Sequence, residues 1–262
     1  MMIPMEWGIA QVAPGVLVAT SDLYMTTSTV LTAPDGSCLV IDPAVTVADV
    51  GALASELRAR RLIPVAGFAT HPHWDHVRWS AELGDVPRYA SARAAEAARE
   101  HRDDLITESQ RSAPGHEPAL TGRLTPLLMG EDTIPWPGAC PSWITARACG
   151  PGHAAVFLPE TGVLLAGDMC SDIEIPLLDR AAADPVGDYR AGLDLLAALP
   201  VRVVVPGHGR AGDTAEFRRR VAADLRYLAD LERGEDFSDP RLTQDWLVHE
   251  HEAQLQQARE RH

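Results

Sequence analysis

The segment from His71 to His76 reads His-Pro-His-Trp-Asp-His and places three imidazoles and one carboxylate within six residues. These side chains are ligands of zinc and related metals, and their density here predicts a metal site. His71 and His73 are two residues apart, so on an extended backbone they leave the same face, whereas Asp75 and His76 project in another direction. One segment can therefore serve two adjacent metal ions. The alternative is an exposed loop that is merely rich in histidine.

The residues that precede this segment predict strands and helices in alternation. A strand is predicted at 16–20, a hairpin at 26–33 and 37–42, and a helix that begins at the capping box of Thr46. Residues 64–70 read as a buried strand, which ends where the histidines begin. Loops at strand ends are where open sheets place ligands, so this position favours a functional site.

The rest of the chain predicts a second sheet and further helices. Its strands are predicted at 124–129, 143–149, 154–158, 163–166 and 201–205. Its helices are predicted at 91–101, 189–199, 213–234 and 242–259. The polar stretch 102–122, which proline and glycine interrupt, is interpreted as an insertion. The last helix is amphipathic, and we expect it to pack on the domain or on a second copy of the chain in a homodimer.

The charge balance limits the partners of this chain. It has 262 residues, with 23 arginines, no lysine and 37 acidic residues, for a net charge of -14. A nucleic acid or an anionic membrane would require a large basic patch, so neither is expected as a partner. The triplet Arg218-Arg219-Arg220 is predicted to be a solvated helix face. We expect the partner to be a small-molecule substrate.

No segment predicts export or membrane insertion. The first residues lack a charged leader before an apolar core, and no run approaches the roughly 18 apolar residues of a membrane span. The four cysteines, at 38, 140, 149 and 170, have neither ligand-like nor disulfide-like spacing. We therefore expect a cytoplasmic protein with free thiols, in which Cys170 is a buried structural residue or lies near the site.

The sequence Pro-Gly-His occurs three times after the first cluster. The copies that end at His153 and His208 lie at predicted strand ends, and both histidines are candidate metal ligands. A tight turn of proline and glycine brings an imidazole back over the sheet edge. The copy that ends at His116 lies in the polar insertion, so His116 is not a candidate ligand, although a position in a lid over the substrate stays open.

Two aspartates lie at the ends of predicted strands. Asp168 follows a strand of buried character, where an unpaired carboxylate is costly and a metal would relieve that cost. One carboxylate can bridge two cations about 3.5–4 Å apart, which is the separation used in hydrolysis. Asp42 is placed to orient a ligand histidine from behind. The alternatives are a cap or turn residue for Asp168 and a turn residue for Asp42.

With these residues assembled, the chain resembles the metallo-β-lactamase superfamily, whose signature is His-x-His-x-Asp-His followed by separate His, Asp and His ligands. The resemblance implies an α/β fold, a four-layer αβ/βα sandwich, in one domain over 1–262 with C-terminal helices from about 213. It also implies that one metal is held by His71, His73 and His153 and a second by Asp75, His76 and His208. Asp168 would bridge the two metals.

Three residues beside the first cluster are candidates for the pocket wall: Trp74, Arg78 and Trp79. Many members of the superfamily have small residues where this chain has Val77-Arg78-Trp79, so bulk at these positions would alter the wall. Arg78 would be able to pair with a substrate carboxylate. Core packing of both tryptophans and a surface position for Arg78 are the alternatives.

The resemblance implies a dinuclear hydrolase that cleaves an ester, lactone, thioester or related bond of a small molecule. Its cofactors would be two divalent metal ions, zinc by default and iron or manganese as alternatives. The ions would produce a bridging hydroxide from water, and Asp75 would help to move a proton. True zinc β-lactamases generally lack the bridging aspartate, so Asp168 argues against antibiotic hydrolysis. The alternatives are an iron-dependent oxidoreductase that acts on persulfides and a non-catalytic metal-binding protein.

Overall fold

A computed structural model describes residues 8–43, 45–128, 133–138, 141–145 and 148–261. The strands are β1 (Ile9–Ala13), β2 (Val16–Thr20), β3 (Thr27–Thr32), β4 (Ser37–Ile41), β5 (Ile63–Phe68), β6 (Arg88–Ser91), β7 (Thr125–Leu127), β8 (Ser142–Thr145), β9 (Ala154–Leu158), β10 (Val163–Leu165), β11 (Val203–Val205) and β12 (Gly212–Asp213). The helices are α1 (Val47–Ala59), α2 (Ala92–Glu100), α3 (Arg102–Ser112), α4 (Pro185–Ala197), α5 (Thr214–Arg233) and α6 (Asp245–Arg261).

The strands form two sheets. The first sheet follows chain order from β1 to β7, with antiparallel pairing up to β4 and parallel pairing from β4 to β7. The second sheet has the order β12-β11-β10-β9-β8, and its one parallel pair among the described strands joins β10 to β11. Neighbouring strands in a parallel pair end on the same side of their sheet. Candidate ligands follow the carboxyl ends of β5, β10 and β11, which all belong to such pairs.

Alternating side chains divide the core into layers. In β2, Val16 and Val18 point to a cluster that also contains Val156 and Leu165 of the second sheet, so the two sheets face each other. Leu17 points the other way, into a cluster with α1. The outer face of the second sheet packs on α4, α5 and α6. The order is helix, sheet, sheet, helix, which confirms the predicted four-layer αβ/βα sandwich.

Local sequence signals explain several helix ends. Thr46 and Asp49 form the predicted capping box of α1, with the Thr46 hydroxyl accepting from the Asp49 N–H and the Asp49 carboxylate accepting from the Thr46 N–H. Asp213 caps α5, and Gly234 ends it in the left-handed region with a φ of 67°. None of the helices that the structure describes is both long and apolar enough to cross a membrane.

Other parts of the fold differ from the sequence prediction. Short strands β1, β6 and β12 were not predicted, because they lie at or near sheet edges and their burial patterns are irregular. The stretch 102–122 contains α3, and part of the predicted strand 143–149 falls at 146–147, outside the described residues. The strand predicted at 124–129 is β7, which belongs to the first sheet and not to the second, because it pairs with β6. The Arg218–Arg220 triplet is not entirely solvated: Arg220 is buried against the Glu216 carboxylate and the carbonyls of Cys170 and Arg210.

The cluster between the sheets permits a test of core packing. Ile41 is 2% exposed there, and Ile41→Val is expected to lower the free energy of unfolding by about 0.5–1.5 kcal/mol, because one buried methylene is lost. Ile63→Val is the matched control, since Ile63 is 66% exposed, and its effect is expected to stay within about 0.5 kcal/mol. Urea unfolding curves measure both. Equal effects would contradict the burial of Ile41.

Candidate metal centre

The structure brings the predicted site residues together from four loops. The loop after β5 carries His71, His73, Asp75 and His76, and the other three loops each carry one candidate ligand. His153 directly precedes β9, Asp168 follows β10, and His208 follows β11. All of these side chains are buried except that of His73, which is 38% exposed.

Asp168 lies at the centre of this cluster. Its Oδ2 atom is 3.0 Å from Nε2 of His71 and 3.7 Å from Nδ1 of His73. Its Oδ1 atom is 3.2 Å from Nε2 of His76 and 3.5 Å from Nε2 of His208. The two oxygens of one carboxylate therefore face two different pairs of imidazoles.

Three overlapping groups of donors have ligand atoms close enough to share an ion, all within 4.8 Å of one another. They are His71, His76 and Asp168; Asp75, His76 and His208; and His71, Cys149 and His153. The second group matches the set that the resemblance implies for one metal. In the third group, Cys149 rather than His73 accompanies His71 and His153.

Hydrogen bonds behind His71 determine which of its nitrogens faces the centre. The Thr70 hydroxyl donates to Asp42 Oδ2 at 2.6 Å, so at 3.0 Å it accepts from Nδ1–H of His71. Burial lowers the pKa of His71 well below its ordinary value, which keeps the ring neutral. Nε2 of His71 therefore presents a lone pair 3.0 Å from a carboxylate oxygen of Asp168.

Similar contacts orient two more imidazoles of the cluster. Nδ1 of His208 lies 3.1 Å from the Tyr24 carbonyl, which can only accept, so this nitrogen carries the proton and Nε2 faces the centre. Nδ1 of His76 lies 3.0 Å from Asp42 Oδ2. Asp42 adopts a left-handed φ of 47°, and its carboxylate contacts both the Thr70 hydroxyl and His76. Outer partners of this kind orient the ligands of metal sites.

Protonation divides the cluster, because Asp168 and His153 are ready to coordinate a cation, whereas His76 and His208 hold protons that a cation would displace. Burial alone would lower the pKa of His76 and of His208, but Asp168 and the neighbouring carboxylates raise both above their usual value, that of His208 to about 10. Burial alone would raise the pKa of the Asp168 carboxyl, but the surrounding imidazoles, including those of His76 and His208, hold it well below its usual value. Asp168 is therefore ionised at neutral pH. Burial also lowers the pKa of His153 to about 4, so this imidazole is neutral and free to coordinate.

The donor set fits a divalent metal ion. Both ring nitrogens of His153 and Oδ1 of Asp168 are buried and make no hydrogen bond with any residue that the structure describes. Buried polar atoms without partners are costly, and a coordinated cation would remove that cost. Imidazole, carboxylate and thiol are ligands of zinc, and imidazole with carboxylate also suits iron and manganese.

Two glycines leave the space that the cluster needs. A methyl group on Gly207 would overlap Asp168 Oδ1, and one on Gly167 would overlap His153 Nε2. Gly167 also adopts a left-handed φ of 56°, which side chains disfavour. Glycine is therefore required next to Asp168 and His208 because ligand side chains come too close to the backbone for a Cβ atom to fit. This requirement adds to the turns that the sequence predicts.

A cavity of about 500 Å³ opens onto the cluster. His73, Asp75, Asp168 and His208 form its polar end, together with Glu174. Its apolar wall consists of Tyr24, Trp74, Leu177, Leu178 and Trp246. The Tyr24 ring makes edge contacts with Trp74 at 6.2 Å and with Trp246 at 6.1 Å between centroids. Trp74 thus occupies the wall position considered for it, and α6 contributes to the wall through Trp246.

Arg78 and Trp79, the other two residues expected in the pocket wall, do not line this cavity. The Arg78 side chain is 2% exposed and donates to the backbone carbonyls of Trp74, Ser109 and Ala113. Its donors are used inside the protein, so it cannot pair with a substrate carboxylate. Trp79 packs in the layer between α1 and the first sheet, as in its alternative interpretation.

Sequence reasoning missed two buried residues at the site. Cys149 lies four residues before His153, and this spacing was the one available signal. Glu174 lies 3.7 Å from Nδ1 of His208, and burial raises its pKa to about 7. No pattern around Glu174 distinguishes it from a surface residue, because only the turn after Cys170 brings it to the cavity. Cys170 is buried in the core of the second sheet.

His116 lies outside the cluster and does not form a lid. It is buried, and its Nε2–H donates to the Val45 carbonyl at 2.7 Å. Burial, with a smaller effect of Arg78, lowers its pKa to about 4. The folded state therefore favours the neutral ring, so this contribution to stability is complete above the unfolded pKa of about 6.5 and is lost as the pH falls toward 4.

The lowered pKa of His116 predicts a pH dependence of stability that can be tested. Between pH 6.5 and 4, the wild-type protein is expected to lose about 2 kcal/mol more unfolding free energy than the His116→Gln variant, which keeps a donor but does not titrate. His101→Gln, at an exposed histidine, is the control and should follow the wild-type curve. Urea unfolding at each pH measures the difference. Parallel curves for wild type and His116→Gln would contradict the buried neutral state.

Comparison with known proteins agrees with this geometry. A family model described as the metallo-beta-lactamase superfamily matches residues 21–208. No curated protein matches the chain significantly. A metallo-beta-lactamase family protein from Thermus thermophilus has a similar structure, with a TM-score of 0.70 and 22% identity over 95% of this chain and 94% of that one.

Two further solved structures show the same fold. A beta-lactamase domain protein from Burkholderia ambifaria has a TM-score of 0.67 and 18% identity over 88% of this chain and 77% of that one. A metallo-beta-lactamase from Pontibacter korlensis has a TM-score of 0.65 and 17% identity over 84% and 99%. At these identities the likeness shows the fold, while the family match covers all seven candidate ligands. The chain belongs to the metallo-beta-lactamase superfamily.

Proposed function

We propose that this protein is a dinuclear metal-dependent hydrolase of small-molecule esters, lactones, thioesters or related bonds. The observation that carries the proposal is the meeting of neutral His71 Nε2 and ionised Asp168 Oδ2 at 3.0 Å, both as acceptors. Two acceptors repel each other at this distance, and a cation coordinated by both would remove the repulsion. Asp168 presents its second oxygen to His76 and His208, which supports a role as a ligand shared by two ions.

Bound divalent cations would supply Lewis acidity and an activated water at neutral pH. The chain's own residues hold the arrangement. Thr70 and Asp42 orient His71 and His76, and the Tyr24 carbonyl orients His208. Asp75 lies at the cavity surface with Oδ2 3.3 Å from His208 Nε2. Burial alone would raise the pKa of its carboxyl, but His76 and His208 hold it below its usual value, so Asp75 is ionised and would only accept a proton transiently and pass it to the leaving group.

The cavity indicates the class of substrate. Three aromatic rings and two leucines line it together with residues of the donor cluster. The two arginines at this cavity, Arg111 and Arg180, are engaged with Glu108 and Glu250. We therefore propose a substrate in which an apolar or aromatic group adjoins the hydrolysed bond. Zinc is the proposed metal, and a cytoplasmic protein is proposed on the sequence alone.

A substrate panel with defined metals tests this function. Protein loaded with zinc, manganese or iron is assayed on phenyl and alkyl esters, lactones, thioesters, a phosphodiester and a β-lactam. Turnover of a carbonyl ester class that disappears in His71→Ala is the expected result. Oxygen uptake on a persulfide by the iron form, without hydrolysis, would establish the oxidoreductase instead. Metal binding without any turnover would leave a non-catalytic metal-binding protein.

A further inference from the structure

A second cavity, of about 1070 Å³, lies between helix α2 and the edge strand β7. It shares no lining residue with the cavity of the metal centre. We call it the α2–β7 cavity. It is open to solvent on one side, and its volume is sufficient for a nucleotide-sized molecule to lie in it.

The lining of the α2–β7 cavity is basic, in contrast to the chain as a whole. Five arginines line it: Arg88, Arg93, Arg99, Arg102 and Arg123. Among its lining residues, all of which the structure describes, Glu96 is the one carboxylate, and it lies 4.0 Å from Arg99. In a chain with a net charge of -14, this concentration of positive charge is a local exception.

Most of this positive charge is not neutralised. Arg93 and Arg123 are exposed and form no ion pair with any residue in the described ranges. Arg88 donates to the Leu120 carbonyl and Arg102 to the Thr121 carbonyl, contacts that leave their charges in place. Burial and the nearby Arg123 lower the pKa of Arg88, although Asp85 partly opposes this effect. An anion bound here would relieve this repulsion.

The cavity also has apolar walls. Val86 and Pro87 line it on the side of the loop before β6, and Leu124 and Pro126 on the side of β7. A purely inorganic anion would leave these surfaces in water, whereas an organic anion would cover them. Guanidinium groups match the geometry of phosphate oxygens, to which they donate in pairs.

We propose that the α2–β7 cavity binds a small phosphorylated organic molecule, with its phosphates on the arginines and its organic part on the apolar walls. A polynucleotide would extend beyond the cavity over a surface of like charge, and this repulsion favours a small ligand. The site is separate from the proposed hydrolytic reaction and does not depend on it.

Isothermal titration calorimetry of the metal-loaded protein with adenosine diphosphate tests the site. We expect saturable binding that weakens with added salt and is tighter than that of inorganic pyrophosphate, which lacks an organic part. Arg93→Gln and Arg123→Gln are each expected to weaken binding about tenfold, because each removes a charge-assisted contact, and together by about a hundredfold. Arg218→Gln, at an exposed arginine on α5, is the matched control and should bind as wild type does.

Other results would overturn this assignment. Absence of adenosine diphosphate binding, or binding that the double variant leaves unchanged, would show that the cavity takes no phosphate. Binding that disappears on metal removal but survives in the double variant would place the anion at the metal centre. Tighter binding of a short RNA than of the diphosphate would show a macromolecular partner. Since Arg93 and Arg123 do not line the cavity of the metal centre, turnover on the substrate panel should be unchanged in the double variant.

Discussion

Asp168→Asn is expected to lower the hydrolytic rate by at least about a hundredfold and to reduce the bound metal from two ions per chain to one or none. The asparagine has the same shape, but it is uncharged and has one acceptor oxygen in place of two. Oδ1 and Oδ2 of Asp168 face separate pairs of imidazoles, so the substitution removes the contact that joins both halves of the site. Steady-state kinetics and elemental analysis of purified protein measure the two effects.

The matched control for this variant is Asp194→Asn, since Asp194 is an exposed residue of α4. It should retain wild-type activity and metal content. Far-ultraviolet circular dichroism of both variants shows whether the fold persists. A folded Asp168→Asn protein with full activity and full metal content would contradict the bridging role and, with it, the dinuclear mechanism.

Removal of metal is expected to lower the melting temperature by about 5–15 °C. A ligand present at a hundred to a thousand times its dissociation constant stabilises the folded state by about 3–4 kcal/mol, and in a chain of this size each kcal/mol corresponds to about 2–4 °C. The physical reason here is that the unpaired buried atoms of His153 and Asp168, and the facing acceptors of His71 and Asp168, lose the cation that compensates them. Differential scanning calorimetry before and after chelation measures the change.

A chelator that is already saturated with zinc is the control for this experiment, and it should leave the melting temperature unchanged. Adding zinc to the chelated protein should restore the original value. A protein that contains stoichiometric metal as purified, yet melts at the same temperature without it, would contradict the proposed location of the ions among these buried groups.

The fold was largely predictable, because hydrophobic periodicity and turn chemistry recur locally. Strands β2 to β5 and helices α1, α5 and α6 lie close to their predicted positions, and the capping residues of α1 and α5 act as their patterns indicate. Very short strands were not predictable. Strand β6 has four residues and β12 has two, which is too short for a periodic signal, and they form only because a neighbouring strand offers hydrogen bonds.

The candidate site was also predictable only in part. The seven predicted ligands lie in one cluster, because each one follows or precedes a strand that the pattern identifies. The positions of the residues around these ligands were not predictable. Arg78 reads as a solvent-facing cation, yet α3 covers it and offers carbonyls to its guanidinium. Glu174 reads as a surface acid, yet the loop after β10 places it beside His208.

The sequence by itself determined the candidate ligand types and their order along the chain, which depend on residue identity, and the positions of most strands and helices, which depend on short-range periodicity. The layered architecture was implied by the resemblance to the metallo-β-lactamase superfamily. Only the tertiary structure decided which nitrogen of each histidine faces inward, that Cys149 joins His71 and His153, and that Trp246 of α6 completes the cavity wall. These features depend on contacts between residues distant in the chain. The same reason applies to the arginines of the α2–β7 cavity, whose joint positive charge exists only where the sheet edge and α2 meet.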